Sequence, residues 1–173
     1  MTADLQPLRI GFIPLVDAAI LIAAADCGFA AAEGLRLDLV REVSWANVRD
    51  RLILGQFDAA HVLAPVPIAT TLGLDYARVP MVVAMALGLN GNSIVVSRAL
   101  KAALAEMAEG DLADPLVSGA AFGRVAAARR ARGEPSVTLA MTFPFSTHNY
   151  QLRFWLAAAG VDPDQDVRLV VLP

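Results

Sequence analysis

"LRLDLVREVSWANVRDRLILGQFDAAHVLA", Leu35 to Ala64, carries the pattern that decides the fold class. Leu35, Leu37 and Leu39 alternate with polar or charged neighbours, the period-two signature of a half-buried strand running to Val43. Ser44 follows as the N-cap of a helix that Gly55 stops. Asp58 to Ala64 then reads as a second strand. A strand, a helix and a strand at this spacing predict a parallel βαβ unit, the building block of an open α/β sheet.

The same grammar extends in both directions. Upstream, "LRIGFIP" (Leu8 to Pro14) is a strand, and Asp17 to Ala32 reads as one helix ended by Gly34. Downstream, Pro65 and Pro67 open a short helix to Leu72. Two further strand-like runs, "MVVAMALGL" and "SIVVS", flank "NGN" at Asn90 to Asn92. The second half predicts a helix over Ala99 to Ala108, a linker "EGDLADPLVSG", and a helix "AAFGRVAAARRAR" with a cationic tail. "VTLAMTF" is a strand, after which Leu152, Trp155, Leu156 and Ala159 form one apolar helical stripe. Gly160 stops that helix, and "VRLVVLP" is a last strand.

Bulk properties bound the function. With 57% hydrophobic residues in 173, the chain can bury a core as one domain or as two small lobes. A net charge of only −3 gives no basic field for nucleic acid or an anionic membrane. The single cysteine, Cys27, forms no intrachain disulfide, and its helical setting predicts a small buried residue. The start "MTADLQPLRIGFIP" lacks the basic and apolar regions of a signal peptide, so the chain reads as soluble and cytoplasmic. The most apolar window, "LVDAAILIAAADCGFAA", is interrupted by Asp17 and Asp26 and too short to span a bilayer. No nucleophile elbow, phosphate loop, zinc motif or close carboxylate pair is present, and no cofactor is expected.

Three places carry polar chemistry. In "TFPFSTHNYQLRFW" (Thr142 to Trp155), Ser146 or Thr147 caps a helix whose first-turn N–H groups favour an anion, and His148 adds a ring donor there. Taken singly, a cap beside a surface histidine is the commoner arrangement. Trp45 follows a strand at a helix start, where its indole N–H serves either a ligand or the core. Asn90 and Asn92 flank Gly91 in an extended crossover, at a hinge or in an ordinary turn. Together these donors fit a cleft for a small planar oxyanion. His61, inside a strand pattern, reads as a satisfied core histidine.

The segments "RIGFIPLVDAAILIAAADCGFAAAEGL", "SWANVRDRLILGQFDAAHVLAPVP", "LNGNSIVV" and "TFPFSTHNYQLRFWLAAAGVDPDQDV" resemble the nitrate-binding subfamily of ABC-transporter solute-binding proteins, whose siblings bind bicarbonate. The resemblance implies an α/β, type II periplasmic-binding-protein-like fold: two lobes with open, mostly parallel sheets closing on a ligand. It divides the chain into a first lobe over 1–89 and an incomplete second lobe over 90–173, with a hinge crossover at 90–92. By the same resemblance Trp45, Asn92, Thr147 and His148 bind the ligand. Asn92 stands where the family usually has a glutamine, one methylene longer, and the family's anion-neutralising lysine follows the last strand, beyond Pro173. Relatives are about twice as long, so the chain is expected to be truncated.

The function implied is nitrate or nitrite binding by a cytoplasmic sensor that controls an ANTAR-type RNA-binding antiterminator. Lobe closure is its expected signal. The alternative is the solute-binding subunit of a nitrate ABC transporter, periplasmic if a signal peptide has been removed. An enzyme on the same fold, with His148 as general base, is the third and least favoured reading. No direct nucleic-acid contact and no membrane insertion are expected.

Overall fold

The computed structural model of the chain describes residues 5–89 and 91–172. They form two compact units, one preceding Gly91 and one over Gly91–Leu172. Asn90, part of the expected hinge, lies outside the described residues.

The first unit is a three-stranded parallel sheet in the order β2-β1-β3: β1 Gln6–Phe12, β2 Leu35–Arg41 and β3 Ala59–Ala60. Gln6 pairs with Leu35 and Phe12 with Arg41, while Ile10 and Gly11 pair with Ala59 and Ala60. Gly11 is required by a close approach: a Cβ there would lie 2.3 Å from the Phe57 ring. Burial in β1 concentrates at its carboxyl end, Ile10 to Phe12, so the sheet packs best where the site residues follow it.

Helices α1 (Ala19–Asp26) and α2 (Phe29–Ala32) replace the single helix expected over 17–32. Gly28 adopts φ 78°, a left-handed conformation that ends α1 and reverses the chain. Cys27 caps α1 and is exposed, contrary to the expected burial, because no residue of α1 is buried. Helix α3 (Trp45–Ile53) starts as predicted: Ser44 Oγ accepts the Asn47 N–H at 3.2 Å. Arg49 pairs with Asp50 and Asp75 and stacks on Tyr76, tying α3 to the turn beyond α4 (Pro65–Leu72).

Two expectations for this half change. The strand over 58–64 shrinks to Ala59–Ala60, because His61, after one more bond to the Gly11 carbonyl, leaves the ladder toward α4. The apolar runs 81–89 and 93–97 are not strands. Val82, Leu89 and Val95 are largely exposed, and among the described residues no backbone ladder pairs with them. An extended run becomes a strand only when a neighbour supplies its hydrogen bonds.

In the second unit, α5 (Arg98–Met107), α6 (Pro115–Ala131) and α7 (Thr147–Ala158) pack with the parallel pair β4 (Val137–Met141) and β5 (Val167–Val171). Helix α6 begins five residues earlier than the pattern suggested, since Asp114 caps it and Pro115 occupies its first turn; 115–119 is therefore helix, not linker. The core gathers Leu104, Phe122, Leu139, Leu152, Leu156 and Val167. The predicted α7 stripe holds: Leu152 and Leu156 are buried, with Trp155 and Ala159 packed against the same cluster. Gly123 lets α6 approach α7, since a Cβ would sit 2.9 Å from the Ala159 carbonyl.

Candidate functional site

In each unit the polar groups collect just past the carboxyl ends of parallel strands, where open α/β sheets take ligands. Asp17 follows β1, Trp45 follows β2 and His61 follows β3. His61 is 3% exposed, and its Nε2 lies 3.1 Å from Asp17 Oδ2. Its ring meets Trp45 edge-on, centroids 5.2 Å apart at 75°. His61 Nδ1 is buried with no hydrogen-bond partner among the described residues, which corrects the expectation of a satisfied core histidine. Trp45 is buried, and its indole N–H makes no hydrogen bond to the described residues.

In the second unit the expected stretch forms a loop and a capped helix. Ser146, fully buried, accepts the Asn149 N–H at 3.1 Å, so the serine and not Thr147 is the cap. Thr147 is the first helical residue and does not line the neighbouring cavity. Asn149 pins the loop by donating to the Pro144 carbonyl at 2.7 Å, and its Oδ1 accepts from Arg153. Arg153 in turn forks onto Asp164. Hydrogen bonding to Arg153 holds the Asp164 carboxyl below its usual range.

This scaffold presents His148, half-buried, with Nδ1 3.3 Å from Thr142 Oγ1. Thr142 sits one residue past β4, so a strand end and a helix start jointly fix the imidazole. Both line a cavity of about 790 Å³ within the second unit, together with Asn92 and Gln151. The cavity wall is otherwise largely apolar, with Leu104, Leu139 and Trp155 among its residues. Asn92 donates through Nδ2 to Gln151 Oε1 at 2.8 Å.

Of the predicted residues, Asn92 and His148 share this cavity, Thr147 stands beside it, and Trp45 belongs to the first unit. Sequence reasoning missed Thr142, Gln151 and Asp17. Gln151 had a usable signal, because it lies three residues after His148 and hence on the same helical face. Asp17 had none, being 44 residues from the histidine it meets. Among the described residues, no three His, Cys, Asp or Glu side chains gather as a metal site. Nor is any described helix long and apolar enough to cross a membrane.

Comparison with known proteins adds the family. The NMT1-like family model matches residues 2–173. The nitrate/nitrite binding protein NrtA of Synechocystis is 37% identical over 177 aligned residues, covering 98% of this chain and 36% of the relative. The bicarbonate-binding protein CmpA of Synechococcus elongatus is 33% identical, covering 98% of this chain and 37% of the relative. The crystal structure of the periplasmic nitrate-binding protein NrtA from Synechocystis superposes with a TM-score of 0.78 at 32% identity, over 98% of this chain and 42% of that one. The periplasmic-binding-protein-like α/β class predicted from the sequence is therefore correct. The chain spans little more than a third of the length of these curated relatives.

Proposed function

Since the chain belongs to the NMT1-like family, we propose that it binds a small planar oxyanion, nitrate or nitrite, as the solute-binding part of an anion import system. The observation that carries this reading is His148. It stands at the capped start of α7, its Nδ1 engaged by Thr142, so its second ring nitrogen is left to serve a ligand in the cavity it lines. A helix start favours an anion through its first-turn N–H groups, and a ring N–H adds a directed donor. Thr147 takes part through its position in that first turn and Asn92 through its carboxamide; Trp45, in the first unit, is a further proposed ligand-binding residue through an indole N–H that no described residue engages.

The transport reading takes precedence over the cytoplasmic sensor. The relatives above are named for binding nitrate, nitrite or bicarbonate, one of them as periplasmic, and none of those names points to an antiterminator partner. All are named as binding proteins, which supports a binding role over the enzyme reading. Bicarbonate is the competing ligand, since a bicarbonate binder is nearly as similar as a nitrate binder.

Calorimetric titration with nitrate, nitrite and bicarbonate, with chloride as control, tests the reading. Saturable nitrate binding that His148→Ala removes is the expected result. Bicarbonate saturation alone would reassign the ligand, and no response to any of the three would overturn the proposal.

A further inference from the structure

Gln151 lies one helical turn beyond His148 on α7, and both side chains line the same cavity. Its Oε1 accepts the Asn92 Nδ2–H at 2.8 Å. A carboxamide whose oxygen is held can turn its NH2 group in only one sense. That NH2 makes no hydrogen bond to the described residues. Two side chains on one helix face are thus each engaged from another segment, Gln151 at its acceptor oxygen by Asn92 and His148 at Nδ1 by the Thr142 hydroxyl. Each retains N–H capacity at the edge of a largely apolar cavity. Unused donors beside apolar surface suit a ligand that brings only acceptors, and a trigonal oxyanion can receive two of them on two different oxygens.

We propose that Gln151 is an anion-binding residue, oriented by Asn92, that supplies a second directed N–H beside His148. Asn92 then acts chiefly as the positioning residue, because one of its own N–H groups is committed to Gln151. The inference rests on the oxyanion reading above and deepens it. It also accounts for a shorter carboxamide at 92, since the reach toward the ligand is delivered from α7.

The test is nitrate titration of the 173-residue chain and of its Gln151→Leu, Gln151→Glu and His148→Ala forms, with side-chain amide NMR of Gln151 in parallel. Gln151 is exposed, so melting temperatures should stay close to the parent's. Losing a hydrogen bond to a charged ligand weakens affinity by about tenfold or more. Gln151→Leu should therefore bind nitrate about tenfold more weakly, and Gln151→Glu more weakly still. The Gln151 NH2 resonances should move on titration with the same midpoint as the heat. If Gln151→Leu binds within twofold of the parent while His148→Ala does not bind, this inference fails and the oxyanion reading stands. If the parent itself is saturated by none of nitrate, nitrite and bicarbonate, both fail.

Discussion

His61 Nε2 lies 3.1 Å from Asp17 Oδ2, and the histidine's other ring nitrogen is buried without a partner among the described residues. The two residues stand 44 positions apart, one past β1 and one past β3. Removing the carboxylate leaves a buried imidazole with neither nitrogen satisfied by protein. Because Asp17 is 40% exposed, water can replace part of what it supplies. Asp17→Ala should cost about 1 kcal/mol in urea unfolding, the lower end of the range for a buried polar group losing its partner. A cost indistinguishable from zero would mean that the pair contributes nothing to holding His61.

Thr142 Oγ1 lies 3.3 Å from Nδ1 of His148, where a hydroxyl donates to one ring tautomer and accepts from the other. When that hydroxyl donates to Nδ1, the ring proton sits on the other nitrogen, where it serves a ligand, and we predict that this is the form the threonine favours. Thr142→Val should weaken nitrate binding by about three- to tenfold, in line with one lost hydrogen bond. Nitrogen NMR of His148 should show a mixture of tautomers in the variant and one dominant form in the parent. Unchanged tautomer populations would remove Thr142 from the site.

Leu156 is fully buried in the second unit's core beside Phe122 and Val125. Leu156→Ala should destabilise by about 2–5 kcal/mol through lost burial and the cavity left behind. Chemical denaturation followed by Trp155 fluorescence, in a Trp45→Phe background, reads this unit directly.

Gly11 faces the Phe57 ring at a distance no real Cβ tolerates. Gly11→Ala should cost about 1–3 kcal/mol, because a packed aromatic must shift to admit one methyl. Gly91→Ala is the control: a Cβ there meets nothing within 4 Å, and stability should stay within about 0.5 kcal/mol.

Acid should loosen the Arg153–Asp164 anchor of α7. Hydrogen bonding to Arg153 lowers the Asp164 carboxyl below its ordinary value of 3.8. For a depressed carboxyl the native contribution is fully present above that value and is lost as pH falls through the lower, folded one. Asp50 behaves alike: burial alone would raise it, yet hydrogen bonds from Arg49 and Tyr76 hold it below 3.8. Stability should therefore decline only below about pH 4 on account of these two groups. Asp164→Asn should flatten that part of the profile, measured by melting temperature against pH.

The limits of the pattern are as instructive as its successes. Ser44 caps α3 as read, Ser146 is the one of the two expected candidates that caps α7, and Gly160 takes the left-handed turn that stops α7. Met81 to Leu89 carries a strand-like composition and is no strand, because composition supplies side chains but not a neighbouring backbone. His61 looked like an ordinary core residue, since nothing near it in sequence reveals a ring nitrogen left without a partner among the described residues.

What the amino-acid sequence determined alone is whatever a few consecutive residues can decide: the alternation of β2, the cap of α3, the start and apolar stripe of α7, and with them a parallel α/β class. Those features arise from hydrogen bonds and burial within a turn or a strand, so local spacing encodes them. The pairing of Asn92 with Gln151 across 59 positions and of Asp17 with His61 across 44 came only from the tertiary structure. Such contacts depend on where each crossover returns the chain, and no local pattern records that distance.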